Sequence, residues 1–123
     1  MAGFDVSQLA RIDATLEVEI ETWAATGAPT HRVIVWIVTV EGEVYVRSVQ
    51  GTGGRWYREL TATNEAVLDV MGEPIAVRAE TAATAEAIER CSRALERKYA
   101  TDPALSSMLR ADVLPTTVRL APT

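Results

Sequence analysis

The chain has 123 residues, 48% of them hydrophobic, with a formal net charge of −5 and a pI near 4.9. That is enough apolar material for a packed core, and it excludes intrinsic disorder. The acidic balance argues against nucleic acid or an anionic membrane as partner, since both require a basic surface.

Residues 5–13 predict a short helix capped by Asp5 or Ser7. In "LEVEIET", Leu16, Val18 and Ile20 alternate with Glu17, Glu19 and Glu21, the period of a half-buried strand. "TGAP" at 26–29 is a turn. "RVIVWIVTV" at 32–40 is β-branched and almost wholly apolar, which predicts one strand covered on both faces, with Ile34, Trp36 and Val38 buried. "EGE" reverses the chain and "VYVRSV" at 44–49 returns it as a hairpin. A Gly-rich loop follows, then a helical turn at 55–63. "AVLDVM" at 66–71 and "IAVRAE" at 75–80 flank a Gly/Pro turn as a second strand pair.

Residues 82–99 predict the longest helix, with an apolar stripe of Ile88, Cys91, Leu95 and Tyr99 and with Glu86–Arg90 and Glu89–Arg93 pairs. "TDPALSSMLR" predicts a second short helix capped at Thr101 or Asp102, and "TTVRLAP" at 116–122 a last strand. The order predicts a mainly β, α+β fold. Its antiparallel sheet rolls into a small barrel with one longer helix and short helices packed on it, a single domain over 1–123.

Several chemistries lack their residues. His31 is the only histidine and Cys91 the only cysteine, so neither a metal centre nor an intrachain disulfide is expected. The glutamate row on the first strand reads as a solvated face. The N-terminus shows no basic segment followed by an apolar run, and "VIVWIV" is too short to span a bilayer, so a cytoplasmic location is expected. Only Lys98 among the 12 basic residues is lysine, and alanine is abundant, a bias of GC-rich bacterial genomes.

The stretch "RSVQGTGGRWYREL" at 47–60 stands apart. Gly51, Gly53 and Gly54 allow close backbone approach, and successive N–H groups can form an anion nest. Arg47 and Arg55 can fork onto phosphate or carboxylate, Ser48 adds a hydroxyl, and Trp56 and Tyr57 add flat faces. The loop lacks the Gly-Lys-Ser/Thr ending of a Walker loop. On residue chemistry alone, ligand binding and a plain structural role for Trp56 weigh about equally.

Together, "TGAPTHRVIVWIV", "EGEVYVRSVQGTGGRWYREL", "GEPIAVRAE" and "TVRLAP" resemble the split β-barrel flavin-binding superfamily, in particular its deazaflavin-dependent nitroreductase branch. Closer still are small uncharacterised relatives with an Arg-Ser, Gly-rich, Trp-Tyr-Arg core. The resemblance covers about residues 15–122 and is most specific over 32–60. It implies a homodimeric barrel that binds a deazaflavin coenzyme or FMN and transfers hydride to a small organic acceptor. By position, Ser48, Gly51, Gly53, Gly54, Trp56 and Tyr57 match the cofactor loop. Arg32, Arg47 and Arg55 would neutralise the cofactor's tail, and Trp36, Trp56 or Tyr57 would border its ring. Val49 stands where many relatives carry lysine, and Arg55 where they carry proline. The rival expectations are a non-catalytic barrel binding a small anion, and a structural dimer whose loop merely packs Trp56; fold alone does not choose among them.

Overall fold

The computed structural model describes residues 3–123. Helix α1 (Val6–Ala14) precedes strands β1 (Glu17–Trp23), β2 (Thr30–Trp36), β3 (Val38–Val40) and β4 (Glu43–Val46). A 3₁₀ turn at Gly51–Gly53 leads into α2 (Arg55–Thr63), then β5 (Glu65–Val70) and β6 (Glu73–Thr81). Helices α3 (Ala85–Lys98) and α4 (Leu105–Met108) and a second 3₁₀ turn (Leu114–Thr116) lead to β7 (Val118–Pro122). All seven strands join one antiparallel sheet in the order β2-β1-β5-β6-β7-β4-β3.

That order forces closure. β2 and β3 lie at opposite edges of the sheet, yet only Ile37 separates them in sequence. One residue spans at most ~3.6 Å, so the sheet curls until its two edges meet at Ile37. The predicted strand over 32–40 is therefore two strands, one on each side of the split in an antiparallel split barrel. Ile37 is fully buried and sits outside both strands, so its backbone polar groups need partners from elsewhere. The end of α3 supplies them. The Ile37 N–H donates to the Tyr99 hydroxyl at 3.2 Å, and the Ile37 carbonyl accepts from Lys98 Nζ at 2.8 Å. Lys98 also donates to the Ile12 carbonyl at 3.0 Å, closing the end of α1, and Tyr99 donates to the Leu16 carbonyl.

The turns follow local chemistry. Both tight hairpins place two consecutive residues at positive φ, Glu41-Gly42 (51° and 83°) and Met71-Gly72 (52° and 87°), the twist that suits two-residue connections. α1 starts with a capping box between Asp5 and Gln8. α2 stops at Asn64, which adopts the left-handed conformation at φ 60°.

Two apolar layers result. Val18, Ile20, Val35, Val44, Val46, Leu68 and Leu120 fill the barrel with Leu60 of α2 and Ile12 of α1. On the other side of β3 and β4, Val38 and Tyr45 pack against Cys91, Ala94, Leu95 and Tyr99 of α3. The alternation Val44–Tyr45–Val46 thus serves both layers. Ile88 is only half-buried. Burial expectations fail at three further positions. Ile34 is 61% exposed, and Trp36 is half-buried, because β2 is an edge strand whose outer face meets solvent. Leu16 is 60% exposed because it precedes β1 rather than continuing its inner face.

Tyr99→Phe removes the acceptor of the buried Ile37 N–H, and a buried donor without a partner costs about 1–3 kcal/mol. Urea unfolding should register a loss of that size; a change within experimental scatter would show that closure does not depend on this hydroxyl. Burial pushes the Tyr99 hydroxyl up to about 12 and the Cys91 thiol up to about 11. The fold therefore favours their neutral forms. The stability they contribute is fully present below about pH 9 and is lost as pH rises through about 11 to 12. Denaturation curves at pH 8 and above 11 should show that loss, and Cys91 should label with thiol reagents at neutral pH only as fast as the protein opens.

Candidate functional site

A cavity of about 210 Å³ opens where the end of β2, the segment after β4, the first turn of α2 and the α4 region converge. Its walls include Trp36, Arg47, Val49 and Trp56, with Glu17 and Ile34 on the barrel side and Ala104 and Met108 opposite. Trp36 is held by a parallel stack on Tyr99, with centroids 4.0 Å apart and planes 2° apart. The residue that satisfies the barrel split therefore also sets an aromatic wall. Glu17 pairs with Trp36 across β1 and β2, which brings its carboxylate to the same rim.

Arg47 is 2% exposed and pairs with no carboxylate among the described residues. Its Nε donates to Thr117 Oγ1 at 2.8 Å and its Nη1 to the Met108 carbonyl at 3.1 Å. Its Nη2 donates to the Ile88 carbonyl at 2.8 Å and to Ser92 Oγ at 2.9 Å. A guanidinium has five N–H donors, so one hydrogen on Nη1 is left without a protein acceptor. Burial pulls the Arg47 pKa below its ordinary value, yet an arginine starts so high that it stays charged. The cavity wall therefore carries a fixed, desolvated cation.

The glycine loop has a different internal logic for each member. Gly51 has φ +71°, and a Cβ there would meet the Asp112 carbonyl at 3.3 Å. Gly53 has open space around it, whereas Gly54 is pressed onto Ser48, with 2.6 Å from a Cβ position to Ser48 Oγ. Ser48 is 1% exposed; its N–H donates to Thr116 Oγ1, and its hydroxyl has no partner. Gly54 caps α2 without a side-chain bond, so the first N–H groups of that helix, beginning at Arg55, receive no cap. Tyr57 packs on the barrel core.

Two predicted arginines lie elsewhere. Arg55 lines a separate cavity of about 330 Å³ with Arg58, Glu59, Ala24 and Ala62. Beneath it, Glu59 accepts from Thr22 Oγ1 at 2.9 Å and pairs with His31 Nδ1 at 3.0 Å. Burial raises the Glu59 pKa, but those two hydrogen bonds together with the charges of His31 and Arg55 outweigh it, leaving the carboxyl below its ordinary value. Arg32 lies on the outer face of β2, 3.0 Å from Glu19 and 3.9 Å from Asp69. The structure thus brings Trp36, Arg47 and Trp56 together and keeps Arg55 and Arg32 apart from them. Sequence reasoning missed Glu17, Ile34, Ala104 and Met108; the one available signal was Glu17, first of the alternating glutamates. Chemically, the walls offer aromatic faces, a buried guanidinium and a carboxylate. Among the described residues no group of three or more His, Cys, Asp or Glu is placed to hold a metal ion, and no helix is long and apolar enough to cross a membrane.

The family model for DUF2255, described as an uncharacterised protein conserved in bacteria, matches residues 8–120. No curated protein matches significantly. Among solved structures, Campylobacter jejuni ChuZ superposes with a TM-score of 0.74 at 10% identity, over 93% of this chain and 50% of its own. The chain thus spans half the length of ChuZ. An F420-H2 dependent reductase superposes at 0.65 with 15% identity, over 86% of this chain and 93% of its own. HutZ, the heme storage protein of Vibrio cholerae, superposes at 0.68 with 10% identity, over 96% and 89%. At such identities the likeness is one of fold.

Gly54→Ala should destabilise the chain by about 1–3 kcal/mol, the usual cost of overpacking, because its methyl collides with Ser48 Oγ. Adding Ser48→Ala removes that oxygen and should restore most of the loss. Thermal melts of the two variants would show this, and equal destabilisation in both would mean that the close approach is not what selects glycine.

Proposed function

This chain belongs to the DUF2255 family, and from that premise we propose that it binds a flat, anionic flavin-type cofactor, a deazaflavin or FMN, with the ring in the Trp36–Trp56 cavity. The observation that carries the reading is Arg47, a buried cation without a carboxylate partner, with a spare donor on the wall of an aromatic cavity. Ligand pockets for drug-sized molecules run to about 300–1,000 Å³. At about 210 Å³ this cavity suits a ring and leaves a tail outside. The tail would then run toward the uncapped start of α2, where Gly54 and Arg55 lie.

The bound cofactor would supply the hydride chemistry, passing it to a small organic acceptor. The residues have simpler tasks. Trp36 and Trp56 flank the ring and exclude water. Arg47 donates to an acceptor on the ring's polar edge and favours negative charge there. Glu17 accepts from a ring N–H on the same rim. The structural neighbours include a reductase that uses F420-H2, which supports the cofactor class. Exposed Leu16, Ile34 and Val49 surround or adjoin this cavity, and a second copy of the chain covering them would complete a homodimer. A second reading, a non-catalytic barrel that holds a small ligand, is favoured by Val49, which makes the rim apolar where the resemblance implies lysine.

Titration with FMN, with a deazaflavin and with haem at fixed salt, followed by tryptophan fluorescence, separates these readings. FMN or the deazaflavin should quench saturably, and Trp56→Leu should weaken binding by about ten-fold through lost stacking and burial. Arg55→Ala should weaken it only if the tail crosses the start of α2. Saturable binding of haem alone would overturn the hydride-transfer reading, and binding of none would leave the cavity without the assigned ligand class.

A further inference from the structure

The basic side chains divide into two sets. Arg11, Arg32, Arg90, Arg93, Arg110 and Arg119 each face a carboxylate. Of the cations left unpaired among the described residues, Arg78 is exposed on β6 and lines none of these cavities, Arg47 lines the aromatic cavity, and Arg55 and Arg58 line the cavity over Glu59. Arg97 and Lys98 line a third cavity of about 280 Å³, between the end of α1, β3 and the last turn of α3.

This third cavity is polar. Its walls are Arg97, Lys98, Asp13, Thr39, Val38 and Ala94. Lys98 Nζ is fixed by the Ile12 and Ile37 carbonyls at 3.0 and 2.8 Å. An ammonium has three donors, so one hydrogen remains. Arg97 is exposed and has no acceptor among the described residues. The opposing charge on this wall is Asp13, whose Oδ1 is engaged by Thr39 Oγ1 at 3.1 Å. Two cations against one carboxylate leave a local positive charge in a protein whose net charge is −5.

Basic residues at a helix C-terminus also complement its dipole. Closing the barrel split accounts for the anchoring of Lys98, but neither role calls for an exposed Arg97 on the wall of the same cavity. We propose that this cavity is a second binding site, distinct from the aromatic one, for a small oxyanion, a carboxylate or phosphate group held between Arg97 and the third hydrogen of Lys98. The site stands whether or not the aromatic cavity takes a flavin, because it shares no wall residue with it.

The test is an amide-shift NMR titration with sodium phosphate and, separately, sodium acetate, both at constant ionic strength. Saturable shifts should appear at Thr39, Ala94, Arg97 and Lys98. Arg97→Gln, an exposed change that disturbs no ion pair, should weaken that binding by about ten-fold, the usual effect of losing one charge-assisted contact. Arg78→Gln, which touches none of these cavities, should leave it unchanged. Saturation by phosphate alone assigns a phosphate-bearing ligand, and saturation by acetate as well assigns carboxylates too. Non-saturating shifts, or saturation that Arg97→Gln leaves untouched, overturn the proposal.

Discussion

The chain crosses from one edge of the sheet to the other within a single residue, and most of the structure is arranged around that crossing. Ile37 cannot hydrogen-bond in a ladder where β2 has ended and β3 has not begun. An orphaned buried N–H or carbonyl costs about 1–3 kcal/mol, comparable to a sizeable share of a small domain's net stability. Lys98 and Tyr99 take both groups and also bind the carbonyls of Ile12 and Leu16. The end of α3 thereby fixes the barrel split, the end of α1 and the approach to β1 at one point. Lys98 gives up solvation to do so: burial draws its pKa down, and nearby Asp13 opposes that shift.

A second polar anchor lies further along the same helix. Arg47 joins the end of β4 to α3, to α4 and to the entry of β7 through four hydrogen bonds. A buried guanidinium without a counter-ion is weak evidence for stability, because desolvation outweighs much of what its neutral acceptors return. That charge is retained, at that cost, on the wall of the aromatic cavity. The two anchors meet at the aromatic cavity. Tyr99 holds Trp36 from one side, and Arg47 forms the wall nearby. The end of the helix that closes the barrel thus also fixes a wall of the aromatic cavity.

The charge distribution extends this pattern. Arg47, Arg55, Arg58, Arg97 and Lys98 form no close ion pair among the described residues and line cavities, with Glu59 on the wall beside Arg55 and Arg58 and Asp13 on the wall beside Arg97 and Lys98. Long-range repulsion of anions by the net charge is screened within about 8–10 Å at ordinary ionic strength, so the local cations dominate the field inside each cavity. The His31–Glu59–Thr22 cluster serves a different end, pinning edge strand β2 and β1 to α2 through a buried carboxylate bonded to both strands.

Much of the architecture was legible because it rests on short-range rules. The Glu41-Gly42 and Met71-Gly72 reversals, the start of α2 after Gly54, and the Cys91–Leu95–Tyr99 stripe each follow from residues within a turn or two of one another. Of the ten residues that the resemblance grouped, Trp36, Arg47 and Trp56 line one cavity, whereas Ser48, the three loop glycines and Tyr57 are not on its walls and Arg32 and Arg55 lie elsewhere. What sequence could not decide is which partner a segment meets. "RVIVWIVTV" has the composition of a single covered strand, but only the closing of the sheet breaks it at Ile37 and leaves Ile34 on an open edge. Arg47 and Arg55 look equivalent in a glycine-rich loop. Only the acceptors on Thr117, Met108, Ile88 and Ser92, 41 to 70 residues away, draw one of them into the interior. Lys98 is conspicuous in the sequence as the sole lysine, but its task depends on two carbonyls, 61 and 86 residues distant, that tertiary structure alone places within reach. Local propensity and periodicity determined the elements. Burial of unpaired backbone groups and of charge, which depends on the whole fold, decided which side chains became anchors and which were left on cavity walls.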